Sequence, residues 1–541
     1  MLLEDMMPMA TVERSGFKKF CATVLPHVTL PSRRTLMRSM NQLYKSEKKA
    51  LIDELQKVKF VSCTADLWST HNRGFVGMTV HYVDCLTLVR VSHTLVCRRF
   101  EHSHTGQRIA QKMASVLKVF GITGKVVNFV SDNAANMVKA FSLLPDMCQD
   151  SEDKEDTEGD AVENNVEILN VTDLVAGEDC EDQEEEEQSV VHMLLEYKRC
   201  ANHTLNLVAA VDSLKARENV RYKRVYDGAM AKVQALSNAV HRSTKNADIV
   251  EDEVGLTFLN PTCTRWSASY AAVQRIVEVG IDKVNLCQHR IGLAELSEDD
   301  MAFLAAYATV MQPIMIAMEV FQGERDCFIG HVIPTIKGIG HKLNKMTDKS
   351  MAPLVSALKA GLETRFKDIL ESDDYNVATM LLPKFNFKLN YLQPCQRPAK
   401  KALLIKAVQL VNSEAAGTNP VQTETEASAM MALPASTVED DLYSFMAEQL
   451  DESAANAITD VIAEVELYIA NVSLETSSLA AFPRVAAAFC RYNAALPSSA
   501  AVERLFIAAG QILTPRRCKM SDTNFEQAVF LRYRLREGDI L

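Results

Sequence analysis

The sequence lacks the closely spaced cysteines of a disulfide framework or a zinc module. Its 13 cysteines are scattered singly over 541 residues, and no Cys-x-x-Cys pair occurs. Small secreted domains and zinc ribbons both depend on such pairs. The N-terminus also carries no signal-like apolar segment. We therefore expect free thiols in a reducing compartment.

Long apolar stretches are also scarce. Residues 301–318 carry no charge and reach the lower length limit of a membrane span. Gln312 and Pro313 interrupt this stretch, and acidic residues flank it on both sides. We expect a buried helix here and no association with a membrane. Nothing in the sequence points to a small-molecule substrate.

Basic residues are outnumbered, since 58 Lys and Arg stand against 70 Asp and Glu and the net charge is −12. The excess of acid is local, because residues 150–188 hold 18 acidic residues and one lysine. The remainder has 57 basic and 52 acidic residues, a net charge of +5. Low hydrophobicity and like-charge repulsion predict that the acidic segment is disordered. We hypothesise that it competes with DNA phosphates for basic surface, the alternative being an inert solvated loop.

Three acidic residues lie in distinctive phrases: Asp66 in TADLWS, Asp132 in FVSDNAANM and Glu503 in SSAAVERLF. Two divalent ions held by carboxylates can activate one oxygen and stabilise another during attack on a phosphodiester. Such hard cations choose oxygen ligands, so we expect Mg²⁺ or Mn²⁺ at these three residues. A single Asp after a strand is more often a turn or cap residue, and the hypothesis depends on all three converging.

The first two acids fall in a predicted α/β layer. Residues 58–65 read as a strand running into Asp66, 75–83 as its hairpin partner and 86–97 as a third strand. A helix over 105–120 follows, with Ile109, Met113, Val116 and Leu117 on one face and Gly121 as its stop signal. A buried strand ending on Asp132 and a helix over 134–144 complete the order of an RNase H-like fold. Because Glu503 lies 371 residues further on, we expect a large insertion before it.

The third acid lies on a predicted helix over 498–513. Six residues at helical spacing form one apolar stripe: Val502, Leu505, Phe506, Ala509, Ile512 and Leu513. Glu503 lies on its flank, where a side chain can reach the edge of a sheet. Ser498 and Ser499 suit a helix start, and Glu503 is too far along to be a capping-box glutamate.

Other candidate residues have a structural and a functional interpretation. Cys200 and His203 form half of a zinc ligand set, but no second pair matches them, so we expect a buried structural pair and no structural zinc. Trp266 suits a core position, and its neighbour Arg265 leaves a stacking or phosphate-binding role open. The basic stretch PSRRTLMRSMNQLYKSEKK predicts a helix whose Arg33, Arg34, Arg38 and Lys45 either face solvent or contact DNA phosphates.

Five phrases occur in order along the chain: TADLWSTHNRGFVGMTVHY, VSDNAANM, CANHTLNLV, TRWSASY and ALPSSAAVERLFIAAGQILTPRRCKM. In this order they resemble the hAT superfamily of DNA transposases and the BED-type proteins derived from them, over roughly residues 10–535. The resemblance implies an RNase H-like core with a helical insertion and a C-terminal dimerisation region. It places Asp66, Asp132 and Glu503 at the catalytic positions.

The same resemblance assigns further roles. It places Cys200 and His203 on the family's Cys-x-x-His motif and Trp266 on the tryptophan that handles DNA ends, so both phrases join the candidate DNA-binding set. Ile507 stands where the family usually has Ser. The Cys/Cys/His/His finger of BED-type relatives is absent from this sequence, which puts sequence-specific DNA recognition in doubt.

The expected domain organisation follows from these observations. It comprises an N-terminal helical region (1–55), the first part of the core (56–148), an acidic insert (149–190), a core continuation (191–215), a helical insertion with a flexible loop near 411–440 (216–455), and the core completion with the dimerisation region (456–541). The last region is rich in apolar helical positions, namely Val461, Val465, Leu467, Ile469, Leu505, Phe506, Ile512, Phe525, Val529 and Phe530. Such a surplus predicts self-association.

Two functions remain open from the sequence. An active transposase would cut DNA by hydrolysis and join it by transesterification, and the intact acid set favours it. A domesticated DNA-associated regulator would keep the fold without catalysis, and the missing finger and acidic insert favour it. A nuclease built on the same core is a third class. We expect a nuclear, DNA-binding, self-associating protein in either of the first two cases.

Overall fold

The computed structural model describes residues 7–70, 72–101, 105–132, 135–149, 196–259, 266–386, 394–416, 452–514 and 520–538. The helices in these ranges are α1 (Ser15–Val24), α2 (Arg33–Lys57), α3 (Gly106–Phe120), α4 (Ala135–Gln149), α5 (Ala201–Ala210), α6 (Val220–Arg242), α7 (Thr244–Val254), α8 (Trp266–Val279), α9 (Ile281–Ile291), α10 (Glu298–Phe321), α11 (Val332–Asn344), α12 (Ala352–Arg365), α13 (Lys367–Glu371), α14 (Asp373–Met380), α15 (Arg397–Ala416), α16 (Glu452–Ala470), α17 (Pro483–Tyr492), α18 (Ala500–Ile512) and α19 (Asp522–Gly538). Short 3₁₀ turns cover Met9–Glu13, Thr123–Lys125, Asp212–Glu218, Ile329–His331, Pro394–Gln396 and Thr476–Ala481.

The described strands form one five-stranded mixed sheet in the order β3-β2-β1-β4-β5. Their bounds are β1 (Val61–Thr70), β2 (Arg73–Val83), β3 (Arg90–Phe100), β4 (Val126–Ser131) and β5 (Glu196–Arg199). The first three strands are an antiparallel meander, whereas β4 runs parallel to β1 and β5 runs parallel to β4. The predicted meander and the strand before Asp132 are thereby confirmed.

Several predicted strand bounds differ from those observed, two of them by four or more residues. Asp66 does not end β1, because the antiparallel pairing with β2 continues to Thr70. The third strand begins at Arg90 rather than at residue 86. Before it, the carboxylate of Asp84 accepts hydrogen bonds from the backbone N–H groups of Leu86 (3.0 Å) and Thr87 (2.7 Å), which holds that segment in a turn.

One face of the sheet packs against α2, α3 and α4 through an apolar cluster. The four residues predicted for the apolar face of α3 are all buried. Gly121 ends that helix with a left-handed φ of 65°, as its stop signal predicted.

The opposite face of the sheet carries buried polar groups. Ser62 donates a hydrogen bond to Asn128 Oδ1 (2.5 Å), and His81 links Thr79 and Ser92, each at 2.8 Å. Burial lowers the pKa of His81 well below its usual 6.5, so the imidazole is neutral at physiological pH. This polar face is the one that receives α18.

The described residues between 201 and 416 are mostly helical. The helices from α5 to α13 share a large apolar core, whereas α15 packs with α16 and α17 in a second apolar cluster. Helix α10 begins at a capping box formed by Ser297 and Asp300. It is the one described helix that is long and apolar enough to cross a membrane, and half of its apolar window is buried inside the protein. This agrees with the predicted buried helix.

Several predicted segments lie partly or wholly outside the described residues. The acidic segment 150–188 is one of them, and so is residue 265. Of the predicted loop near 411–440, residues up to Ala416 belong to α15, and residues 417–440 lie outside the described part. The nine cysteines whose side chains the structure describes are free thiols.

Candidate active site

The register of two parallel strands brings Asp66 and Asp132 together. Thr64 of β1 pairs with Val130 of β4. Each aspartate lies two residues beyond its member of this pair. Because side chains on a strand alternate between faces with a period of two, both carboxylates project from the same face at the same level. Asp132 also directly follows the last residue of β4, Ser131.

Helix α18 brings Glu503 to this pair by approaching the sheet closely. It packs over Gly77, which is the register partner of Asp66 in β2. A Cβ atom at Gly77 would lie 2.5 Å from the ring of Phe506 and 2.7 Å from Val502, so this approach requires glycine. The predicted helix is confirmed, and it begins after Ser499. Glu503 lies in its first turn, where a carboxylate interacts favourably with the helix dipole.

Aromatic side chains add to the packing of α18 against the sheet. The ring of Trp68 stacks on the ring of Phe506, with the two ring centroids 5.7 Å apart. The ring of Phe75 also contacts Trp68, with the two centroids 5.3 Å apart. Gly510, one turn after Phe506, lies beside the same indole, and a Cβ atom there would make an ordinary van der Waals contact with it at 3.5 Å. The sequence treated Phe506 as part of an apolar stripe but did not identify Trp68 as its partner.

The three acids line one open cleft of about 430 Å³. The residues around it are Asp66, Leu67, Trp68, Asp132, His203, Ser499, Glu503, Phe506, Ile507 and Gly510. Ile507, at the position where the family usually has Ser, is 57% exposed there. The three acids of the sequence hypothesis therefore line the same cleft, and their joint role stays a prediction.

The carboxylates repel one another. The pKa of Asp66 is raised well above its usual 3.8, first by burial and then by the charges of Asp132 and Glu503. A hydrogen bond from Leu67 N–H to Asp66 Oδ1 (2.8 Å) opposes this shift. Among the described residues, no three His, Cys, Asp or Glu side chains form a ready-made metal site. The three acids therefore line one cleft and interact electrostatically, but their side chains are not grouped as a complete set of metal ligands.

Cys200 connects the elements that carry the second and third acids. Its backbone N–H donates to Ser131 O (2.9 Å), next to Asp132, and its thiol sulfur accepts from Ser499 N–H (3.4 Å) at the start of α18. The sulfur also caps α5 by accepting from His203 N–H (3.3 Å). The thiol is 2% exposed, and burial raises its pKa. Cys200 is thus the buried structural residue that the sequence predicted, and its side chain is not accessible to DNA.

Two further residues, Tyr197 and Arg90, form hydrogen bonds to the backbone near the acids. The sequence did not predict a role for either. The Tyr197 hydroxyl donates to the carbonyl of Asp132 (2.7 Å). Arg90 is 4% exposed and donates to the carbonyls of Asn493 (2.6 Å), Ala494 and Ala495 (3.1 Å), just before the segment that leads into α18. Burial lowers the pKa of Arg90 to about 10, so it stays charged. An arginine at the start of a strand gives no local signal of this contact.

The remaining candidate DNA-binding residues lie in different places. His203 lines the cleft beside the acids. Trp266 is 7% exposed in the helical core, where its indole N–H lies 3.4 Å from the Tyr307 hydroxyl. As placed, its ring is not accessible to DNA. Arg33 and Arg34 are exposed at the start of α2, which confirms the predicted helix; their DNA-binding role stays a prediction.

Comparisons with known proteins found one matching family model and several similar proteins. Residues 64–158, which include Asp66 and Asp132, match the ZBED1 RNase-like domain family. The putative AC transposase of Zea mays is 27% identical over 279 residues, which cover 49% of this chain and 28% of the maize protein. The zinc finger BED domain-containing protein DAYSLEEPER of Arabidopsis thaliana is 22% identical over 143 residues, 26% of this chain and 20% of that protein.

A fungal protein is also similar. The putative transcriptional regulator tpeD of Talaromyces stipitatus is 26% identical over 135 residues, 24% of this chain and 15% of that protein. The chain therefore spans less than a third of the length of each of these relatives. Together with the five ordered phrases, the matches show that this chain is similar to hAT-type transposases and to proteins derived from them.

Proposed function

We propose that this chain is a hAT transposase-like nuclear protein that binds DNA and cleaves and joins it with Asp66, Asp132 and Glu503. The observation that supports this most strongly is the meeting of these carboxylates in one cleft. They come from two adjacent strands and from a helix that follows 371 residues after Asp132. Three acids from segments so far apart in sequence are not expected to line one cleft by chance.

The donor set fits Mg²⁺ or Mn²⁺. Both ions prefer oxygen ligands, and the repulsion that raises the pKa of Asp66 is the kind that a bound cation relieves. When bound, such ions activate the attacking oxygen and stabilise the leaving oxygen of the phosphodiester. Asp66 and Asp132 would hold the cation from the sheet and Glu503 from α18. His203 lines the same cleft, and we propose that it contacts the DNA there.

We also propose the finer fold predicted from the sequence, an RNase H-like core interrupted by a helical insertion. The helices between α5 and α16 separate the sheet from the helix that carries Glu503. On this interpretation α18 and α19 complete the core, since they pack on β1, β2 and β3. The BED-type relatives and the transposases supply the precedent for DNA as the partner.

Self-association through the C-terminal region is a further proposal. Most of the apolar residues that suggested it are not free to form an interface. Eight of the ten apolar residues on which that argument relied are buried within one chain, where they pack into the core. Leu467 is 66% exposed, and Val472 (87%) and Leu474 (57%) follow it after α16. This exposed apolar group, rather than the whole region, is the candidate interface. A monomeric mass by light scattering at micromolar concentration would contradict it.

The alternative function is a domesticated DNA-associated regulator without catalysis. The name of tpeD includes transcriptional regulation, which is the specific observation in its favour. Both functions require DNA binding, and they differ in the use of the acids. The alternative predicts that neutralising Asp66 changes nothing except metal affinity and stability.

Cleavage of supercoiled plasmid in Mn²⁺ separates the two functions. We expect the wild-type chain to nick the plasmid and Asp66→Asn to lose this activity by at least about 100-fold, since catalytic carboxylates contribute on this order. Asp84→Asn, which alters a half-buried turn carboxylate that does not line the cleft, is the matched control and should keep activity. Equal nicking by wild type and Asp66→Asn would exclude the catalytic proposal.

A further inference from the structure

The first turn of α18 is tied to the carboxyl end of α10 by Arg504, the residue after Glu503. Arg504 Nε donates to Glu324 Oε1 at 2.9 Å, and Nη2 donates to the same oxygen. Nη1 donates to the backbone carbonyl of Gln322 (3.1 Å). A planar guanidinium that holds a carboxylate and a carbonyl through three donors has a fixed orientation.

A second contact joins the same two elements. The hydroxyl of Ser498 donates to the carbonyl of Phe321, the last residue of α10, at 2.6 Å. Ser498 is 2% exposed and also accepts from Ala500 N–H (3.4 Å). The start of α18 is therefore anchored at residues 321–324 by directional bonds.

These bonds can set the rotation of α18 about its axis. Its apolar seat over Gly77 limits how close the helix comes to the sheet, but apolar contacts are not directional. Consecutive side chains on a helix point about 100° apart. With Arg504 directed towards α10, Glu503 is directed towards the cleft that it shares with Asp66 and Asp132.

We infer that Arg504 and Glu324 form a positioning pair that aims Glu503 at the other two carboxylates. The inference rests on the proposed function, in which these acids bind a divalent cation. An ordinary surface ion pair is the alternative, because the two side chains are 40% and 36% exposed. Such pairs contribute about 0–1 kcal/mol to stability and nothing to a distant ligand site. A positioning pair must therefore be detected by metal affinity.

Mn²⁺ titration of the full chain, followed by electron paramagnetic resonance, tests the pair. Arg504→Lys keeps the charge but loses the planar fork, and Glu324→Gln removes the carboxylate. We expect each to weaken Mn²⁺ binding roughly 10-fold, the usual scale for groups that orient metal ligands. Because the two residues act as one unit, the double variant should be no weaker than either single variant.

The matched control is the ion pair of Arg290 and Glu253, which joins α9 to α7 at similar exposure, 41% and 27%. Arg290→Lys and Glu253→Gln should leave Mn²⁺ affinity unchanged. Glu324→Gln also leaves the Arg504 charge uncompensated near the acids, so weakening by that variant alone indicates electrostatics and overturns the inference. Unchanged affinity in Arg504→Lys overturns it as well.

Failure of the proposed function gives a different result. In that case wild type and Asp66→Asn bind Mn²⁺ equally, or neither binds it. Either result rejects the metal site, and with it the proposed role of the Arg504–Glu324 pair. If wild type binds Mn²⁺, Asp66→Asn does not, and Arg504→Lys matches wild type, the proposed function stands and only the positioning pair is wrong.

Discussion

The thiol of Cys200 accepts a hydrogen bond from the backbone N–H of Ser499, 299 residues away in sequence. Through this contact the segment after β5 holds the start of the helix that carries Glu503. The adjacent backbone adds two bonds, from Cys200 N–H to Ser131 O and from Ala201 N–H to Pro497 O (2.8 Å). Two of the three acids are thus positioned by one buried residue.

Replacement of Cys200 tests this role. Cys200→Ala removes the sulfur acceptor from two N–H groups, and loss of a cap acceptor typically costs about 1 kcal/mol on top of the cavity. Cys63→Ala, at a fully buried thiol in β1, is the control for the cavity alone. We expect the larger loss of unfolding free energy at Cys200, measured by urea denaturation. Equal losses would mean that the sulfur only fills space in the core and that the hydrogen bonds it accepts add no stability.

The seat of α18 predicts a strong effect at Gly77. Gly77→Ala places a methyl group 2.5 Å from the Phe506 ring, and overpacking of this kind costs about 1–3 kcal/mol. Gly338→Ala in α11 meets nothing within 4 Å and should stabilise the helix by up to about 1 kcal/mol. Thermal denaturation of the two variants should give shifts of opposite sign. A neutral Gly77→Ala would show that α18 lies further from the sheet.

Acid stability depends on Glu54 of α2. Its carboxylate accepts hydrogen bonds from His93 Nε2 (2.7 Å), the Tyr82 hydroxyl (2.7 Å) and Arg534 Nη2 (3.3 Å). Burial opposes ionisation, but these partners lower the pKa of Glu54 from 4.5 to about 2. A lowered folded-state pKa gives stability that is fully present above pH 4.5 and is lost as the pH falls towards 2.

The expected result is a pH-dependent difference between wild type and Glu54→Gln. Wild type should be the more stable by a constant margin from pH 7 to 5, and the margin should shrink between pH 4.5 and 2. Guanidinium denaturation at fixed pH values measures it. Glu101→Gln, at a 63% exposed carboxylate, is the control and should show no such trend. A margin that does not change with pH would contradict the role of Glu54.

The acidic segment predicts an effect on DNA binding through its charge. Deletion of residues 150–188 removes a net charge of −17. If the segment competes with phosphates, its deletion should tighten binding to random duplex and steepen the salt dependence, by close to one unit of slope for each phosphate contact regained. Fluorescence anisotropy over a series of salt concentrations measures both. Unchanged affinity at low salt would rule out competition.

Local sequence patterns predicted much of the fold around the site. Strand-like runs located the meander, although β2 is buried on both faces. The helical period located α3 and α18, because each buries one apolar stripe. The bounds were less predictable. β1 extends past Asp66 because its antiparallel partner β2 is longer than its parallel partner β4, and pairing length is a tertiary property.

Long-range contacts account for what the sequence did not predict. The phrase around each acid is local, but Arg90, Tyr197 and Arg504 act on residues from distant segments through backbone carbonyls or one remote carboxylate. Such contacts leave no periodic signal. The same limit explains why the apolar residues of the C-terminal region suggested an interface, although most of them fill the core.

The central claim is that Asp66, Asp132 and Glu503 bind divalent metal together. Diffraction from crystals soaked in Mn²⁺, collected near its absorption edge, tests this most directly. We predict anomalous peaks in the cleft, coordinated by Asp66 and Asp132 and reached by Glu503, and roughly 4 Å apart if two ions bind. An empty cleft at saturating Mn²⁺, or peaks bound only by carboxylates elsewhere, would contradict the claim.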